Sequence, residues 1–353
     1  MWYIVLLLLV SGALAITREE CDKVVGLELE YVCQYNRSSV TFVSRNDYVN
    51  IQCEGKSKNL TCKDLPELDF AKSLPLRSLG VVACPPSLLL CIYDILNTTA
   101  IDYVTLTRMS APLTDENVRQ LGDIKMLMIL QADAQKYIPI EGINSLKHVN
   151  DLRIGGGNFQ LSPGLFAEAP PLEYFELHSD NLRSIPVDAF VGLDELKELN
   201  IWRNTILNVT IGALNGLSNL RKLTLNRNEI VYIEPGIFES TPRLGSLNLM
   251  ENDIRFLPNG LLRGMDQLEN LTIFLNLVDM ELDTHAFANL TKLRLVDLSQ
   301  NGISFLPRNV FRNSTNIEKL ELNNNDIRAL DSSLFTELSK LIYMDLSHNK
   351  IDA

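Results

Sequence analysis

The sequence predicts an α/β solenoid: a coil of about 12 stacked turns, with a parallel β-sheet on its concave face and a disulfide-bound N-terminal cap. Three observations predict it. An apolar pattern recurs every 23 to 25 residues from Leu76 onward, an asparagine holds one place in most copies, and all six cysteines lie between Cys21 and Cys91 of the 353-residue chain.

The repeat is legible by alignment. LKELNIWRNTI from Leu196, LRKLTLNRNEI from Leu220, LGSLNLMENDI from Leu244, IEKLELNNNDI from Ile317 and LIYMDLSHNKI from Leu341 share L-x-x-L-x-L-x-x-N-x-I. Looser copies start at Leu76, Ile101, Ile124, Val149, Leu172, Leu268 and Leu293. The second half of the unit repeats too, with an apolar residue at the fourteenth place (Ile185, Val209, Ile233, Leu257, Leu306, Leu330) and a bulky one near the nineteenth (Phe166, Phe190, Leu214, Phe238, Leu262, Phe287, Phe311, Phe335). This is a leucine-rich repeat of 24 residues, the pattern of a horseshoe-shaped solenoid. One unit cannot bury its apolar residues alone, whereas stacked units form a continuous core. The x-L-x-L-x portion is extended, with alternate side chains in and out. At the ninth place the chain turns inward, and a side chain that donates and accepts at once satisfies the backbone there. Asn204, Asn228, Asn252, Asn276, Asn301, Asn325 and Asn349 occupy that place.

The frame weakens toward the N-terminus, where Asp180, Gly157, Ala132, Met109 and Cys84 replace the asparagine, so irregular turns are expected. The predicted division is a secretory leader over 1–15, a cysteine-bearing cap over 16–75 and repeats over 76–353. The leader reads from the apolar run Ile4 to Val10 and the small residues Ala13 to Ala15, although Met1, Trp2 and Tyr3 bring no Lys or Arg. Ala353 falls at the thirteenth place of its unit, which would leave Leu341, Met344, Leu346 and Ile351 facing water. The expectation is a chain that continues in a longer parent, with a naturally short secreted product as the alternative.

An even cysteine count behind a leader reads as disulfides among Cys21, Cys33, Cys53, Cys62, Cys84 and Cys91. Sequence proximity suggests Cys21–Cys33, Cys53–Cys62 and Cys84–Cys91. Metal spacing is absent, and no metal or cofactor is expected. Sequons begin at Asn36, Asn59, Asn97, Asn208, Asn270, Asn289 and Asn313, and each one used must face water. The net charge of −12 argues against nucleic acid or anionic lipid as a partner.

Catalytic signatures are missing. The stretch IGGGNF (Ile154 to Phe159) lacks phosphate-loop spacing and fits the seventh to ninth places of a repeat. His148, His178, His285 and His348 are scattered, and an enzyme is not expected. The chemistry points to binding instead. The third, fifth, seventh and eighth places project from the sheet, and the candidate contact residues are Tyr174, Glu198, Trp202, Arg203, Asn226, Arg227, Met250 and Phe274. A projecting Trp beside Arg is the composition of an interaction hot spot. The competing reading is that these side chains only cover one another. Asn270 is a sequon at a projecting place, and a glycan there would favour ligands on the turns before Leu268.

Two stretches carry a family resemblance: LRSLGVVACPPSLLLCIYDILNTTAIDYVTL, a cysteine-bearing first turn before irregular repeats, and LEYFELHSDNLRSIPVDAFVGLDELKELNIWRNTI. With them the chain resembles the N-terminal leucine-rich-repeat ectodomain of insect Toll-type receptors. The resemblance implies an extracellular, non-catalytic innate-immune or developmental receptor. It implies a protein ligand, a Spätzle-type cystine-knot cytokine, bound on the concave face or edge, with receptor dimerisation. It implies attachment to the membrane only through a C-terminal segment that this chain does not contain. A soluble immune recognition factor or decoy, or an adhesion or matrix protein, is the alternative.

Overall fold

The computed structural model describes residues 21–25, 29–35, 38–45, 47–55, 60–65, 76–96, 98, 101–130, 139–179, 181–276 and 279–352. The expected leader and the sequons at Asn36, Asn59 and Asn97 lie outside the described residues. The chain divides into two compact units, Met1–Ile101 with Met109–Ala111, and Asp102–Arg108 with Pro112–Ala353.

In the first unit, β1 (Cys21–Val25), β2 (Leu29–Tyr35), β3 (Ser38–Arg45) and β4 (Tyr48–Gly55) form an antiparallel meander, and β5 (Ser78–Val82) lies parallel to β4. Alternation selects the core: Val40, Phe42, Val49 and Ile51 are fully buried, while the residues between them are partly exposed. The disulfides correct two of the pairings suggested by proximity. Cys53 bonds Cys84 and Cys62 bonds Cys91, so Cys53–Cys62 and Cys84–Cys91 do not form. The register is the reason. Gln52 stands level with Val82 across β4 and β5, and this leaves the Cys53 and Cys84 Cα atoms 4.9 Å apart. The segment holding Cys62 is tied to the Pro86–Leu90 turn by the Ser87 hydroxyl donating to the Leu60 carbonyl at 3.3 Å, and Cys91 follows that turn. Cys33 is disulfide-bonded and stands opposite Cys21 in the β1–β2 ladder; the Cys21 side chain lies outside the described residues.

The second unit is a parallel ladder in chain order. Its strands are β6 (Tyr103–Thr107), β7 (Met126–Leu130), β8 (Asp151–Gly155), β9 (Tyr174–His178), β10 (Glu198–Trp202), β12 (Lys222–Thr224), β14 (Ser246–Asn248), β16 (Asn270–Thr272), β18 (Leu295–Asp297), β19 (Lys319–Glu321) and β20 (Tyr343–Asp345). Two small pairs stand beside it: β11 (Asn208–Val209) with β13 (Tyr232–Ile233), and β15 (Phe256–Leu257) with β17 (Glu281–Leu282). Equivalent places meet from turn to turn, as in Leu199↔Leu223, Leu223↔Leu247 and Leu247↔Leu271. Those four leucines are at most 1% exposed, and each contributes about 1.5–3 kcal/mol by leaving water.

A second layer lies behind the leucines. Phe166, Phe190, Phe238, Phe287 and Phe311 are buried, with Phe166 stacked on Phe190 and Phe287 on Phe311. The early turns are irregular, as expected, and carry short helices over Asp115–Arg119 and Ile140–Asn144. Thr114 caps the first, accepting from the Asn117 N–H at 3.3 Å while the Asn117 side chain accepts from the Thr114 N–H at 3.0 Å. In the last turn Met344 and Ile351 are exposed, and Leu341 and Leu346 are only half-buried.

The asparagine ladder forms as the pattern requires. Asn252 donates to the Leu225 and Leu249 carbonyls at 3.0 and 2.9 Å and accepts from the Ile230 N–H at 3.1 Å. Asn325 and Asn349 repeat this geometry. Asn228 makes the donor half only, and its carboxamide oxygen has no partner. In the early copies Cys84 and Met109 fill the same place as buried apolar groups.

The eighth place has a property that alignment did not reveal. Ala83, Arg108, Ser179, Arg203, Arg227, Glu251, Leu275, Gln300, Asn324 and His348 all adopt left-handed backbone, with φ between 48° and 61°. This reversal turns the ninth side chain into the core and aims the eighth N–H at the next turn. Arg227 N–H thus donates to the Met250 carbonyl at 2.9 Å, and Glu251 N–H to the Phe274 carbonyl at 2.9 Å. Non-glycine residues adopt this conformation at a cost of about 1–2 kcal/mol. Gly156 occupies the eighth place of its own turn with φ 77°, which accounts for one of the three consecutive glycines.

Candidate ligand-binding face

The side chains of the ladder that do not enter the core define its outer face. The candidate residues come together there along adjacent turns: Tyr174 stands beside Glu198, and Glu198 beside Lys222. Trp202 closes β10 level with His178 of β9. Their rings stack at 4.5 Å with 17° between the planes, so part of the Trp202 surface is already covered. Arg203 lies 5.7 Å from the centre of the Trp202 ring.

The glycine opposite makes the stack possible. Gly155 pairs with His178 across β8 and β9, and a Cβ there would come within 2.5 Å of the imidazole. His178 and Arg153 were not among the candidate contacts. The signal that could have found His178 was Gly155, one strand away in register.

Around this platform the polar groups hold one another. Arg153 lies 4.6 Å over the Tyr174 ring and grips Asp151 through two hydrogen bonds of 2.9 and 2.8 Å. The Asp151 hydrogen bond chiefly raises the Arg153 pKa. The Tyr174 hydroxyl donates to Glu176 at 2.5 Å, and burial, then this bond, push the phenol pKa up. Glu198 accepts from Asn200 at 2.9 Å and from Lys222 at 2.7 Å. Arg227 reaches both oxygens of Glu251 at 3.1 and 3.0 Å. Burial lowers the His178 pKa below its ordinary 6.5, Glu176 opposes that shift and Arg203 adds to it. His178 is therefore neutral at pH 7.

Asn226, Met250 and Phe274 are half-buried on successive turns, and their carbonyls accept the Arg203, Arg227 and Glu251 N–H groups. Their side chains continue the face without joining the aromatic stack. Asn208, Asn270, Asn289 and Asn313 are exposed, as glycosylation requires. A shallow groove of about 870 Å³ lies on the flank instead, lined by Asn158, Asn181, Arg183, Thr205, Leu207 and Glu229. None of the candidate contact residues lines it. Among the described residues, no group of three acidic, His or Cys side chains is placed to hold a metal, and no helix is long and apolar enough to cross a membrane.

The leucine rich repeat family pattern matches residues 170–230, 194–254, 218–278, 280–327 and 315–353, together more than half of the chain. The chain belongs to the leucine-rich-repeat family. No curated protein matches it in sequence. Among solved structures, this leucine-rich-repeat chain is similar to a chain of the Drosophila Toll–Spatzle complex, with a TM-score of 0.74 at 20% identity over 95% of this chain and 49% of the other. The glycosylated form of that complex gives 0.64 at 18% identity, over 96% and 52%. The TLR13–ssRNA13 complex gives 0.53 at 20% identity, over 82% and 53%. The chain thus spans about half the length of these structures' matched chains. What it shares with them is the leucine-rich-repeat fold.

Proposed function

We propose that this chain is the ligand-binding region of a Toll-type receptor on the extracellular side of the plasma membrane. It takes a Spätzle-type cystine-knot cytokine on its sheet face and brings two receptors together. Residues 16–75 serve as the cap and 1–15 as the leader. The observation that carries the reading is the likeness to the Drosophila Toll–Spatzle complex over 95% of the chain. The half-buried, internally bonded platform around Trp202 supports it, because rigid aromatic and arginine anchors concentrate binding energy. The boundary of the contact falls before Asn270, where a glycan would cover the third place of its turn.

The test is direct. The secreted chain is immobilised and titrated with a recombinant Spätzle-type dimer, and the mass of the complex is read by light scattering. Saturable binding below about 1 µM is expected, weakened by Trp202→Ala with Arg203→Ala at unchanged secreted yield. A parent protein that does not bind the cytokine overturns the reading. A double variant that binds like the parent moves the contact elsewhere.

A further inference from the structure

The sheet face carries most of its charges in pairs. Arg153 holds Asp151, Lys222 holds Glu198, Arg227 holds Glu251 and Lys319 holds Glu321, while Glu176 takes the Tyr174 hydroxyl. Two projecting arginines among the described residues have no carboxylate, Arg108 and Arg203. Arg203 is exposed, and its guanidinium stands beside the Trp202–His178 ring pair rather than over an acid. Its backbone is fixed: φ is 55°, and the N–H donates to the Asn226 carbonyl at 3.3 Å. The side chain is thus held at its root and free at its tip.

Resting on the reading of this face as protein-binding, we propose that Arg203 and Trp202 form a carboxylate subsite. An Asp or Glu of the protein ligand docks on the Arg203 guanidinium, and its carbon stem or an adjacent apolar side chain lies on the Trp202 ring. The fork of N–H donors matches a carboxylate in two parallel hydrogen bonds. The ring pair beside it lowers the local dielectric once a ligand covers the site, which strengthens the ion pair. The neighbouring acids cannot take this role, because each already has its own donor. A polyphosphate chain is the poorer fit. It needs several free cations in a row, and Arg153, Lys222 and Arg227 are already neutralised in a chain of net charge −12.

The experiment uses the secreted chain, the recombinant Spätzle-type dimer and, separately, a single-stranded RNA oligonucleotide, each titrated at two salt concentrations. The proposal expects Arg203→Ala to weaken cytokine binding on the order of 10- to 100-fold and Arg203→Glu to weaken it further. It expects Arg203→Lys to retain part of the affinity, and the Arg203→Ala complex to be less salt-sensitive than the parent. Among the described residues the Arg203 side chain makes no ion pair and stands beside the Trp202 ring, and an unchanged urea midpoint and secreted yield confirm that the variants fold. If Trp202→Ala weakens binding while Arg203→Ala and Arg203→Glu bind like the parent, the carboxylate subsite is overturned and the protein-binding face survives. If the parent binds no cytokine, both readings fall. If the parent binds RNA and Arg203→Glu abolishes that binding, the partner class is wrong.

Discussion

Asn252→Leu tests the physical core of the fold. The Asn252 carboxamide is the partner of the Ile230 N–H at 3.1 Å and the Leu249 carbonyl at 2.9 Å, and it shares the Leu225 carbonyl with Asn228. Leucine fills the space, excludes water and leaves the Ile230 and Leu249 groups without that partner. Each orphaned buried group costs about 1–3 kcal/mol, together about 2–6. Burial of the new side chain returns about 1–2 kcal/mol, so the net loss is about 0–5 kcal/mol, about 2.5 at the midpoints of both ranges. Urea unfolding of the secreted chain gives the total, and hydrogen exchange at the Ile230 amide gives the local effect, which matters because stacked repeats need not unfold as one. Asn349→Leu is the internal control. Asn349 makes the same bonds to Leu322, Leu346 and Ile327 but is partly exposed, so water replaces it and the loss stays below about 1 kcal/mol. An Ile230 amide as protected in Asn252→Leu as in the parent, with an unchanged midpoint, refutes the stitching role.

The remaining predictions concern the backbone, the cap and pH. Gln300→Gly, at φ 56°, relieves left-handed strain and stabilises by about 0.5–1 kcal/mol after the extra unfolded-state entropy of glycine, whereas Gln300→Val destabilises. Equal midpoints for the two variants would count against strain at the eighth place. Non-reducing peptide mapping yields Cys53 linked to Cys84 and Cys62 linked to Cys91. Removing the first pair as a double serine variant costs about 4 kcal/mol, given its separation of 31 residues. Recovery of a Cys53–Cys62 peptide would contradict the fold of the first unit. Because burial lowers the His178 pKa, the unfolded chain takes up this proton first as pH falls below about 6.5, and stability is lost from there down through the folded pKa. His178→Gln removes that component, and Trp202 fluorescence follows the titration. A midpoint at or above 6.5 is incompatible with the stacked, desolvated ring.

Much of this was legible because the repeat converts one-dimensional spacing into three-dimensional position. Leu199, Leu223 and Leu247 were placed in the core by their period alone, and the asparagines of the ninth place by the need to satisfy a turning backbone. The candidate contacts Tyr174, Glu198, Trp202 and Arg203 fell on one face for the same reason. What spacing did not show was how these side chains use one another. Trp202 spends part of its surface on His178, and Arg227 is committed to Glu251. Those pairings depend on rotamers and on a missing Cβ at Gly155, and no period encodes them.

The sequence by itself determined the turn, its length and its layers, because a periodic apolar pattern has one economical way to leave water. The tertiary structure alone decided the disulfide partners, the left-handed eighth place and which projecting arginines are left without an acid. Each of these depends on which atoms neighbouring strands bring within a few ångströms, and residues far apart in the chain settle that together.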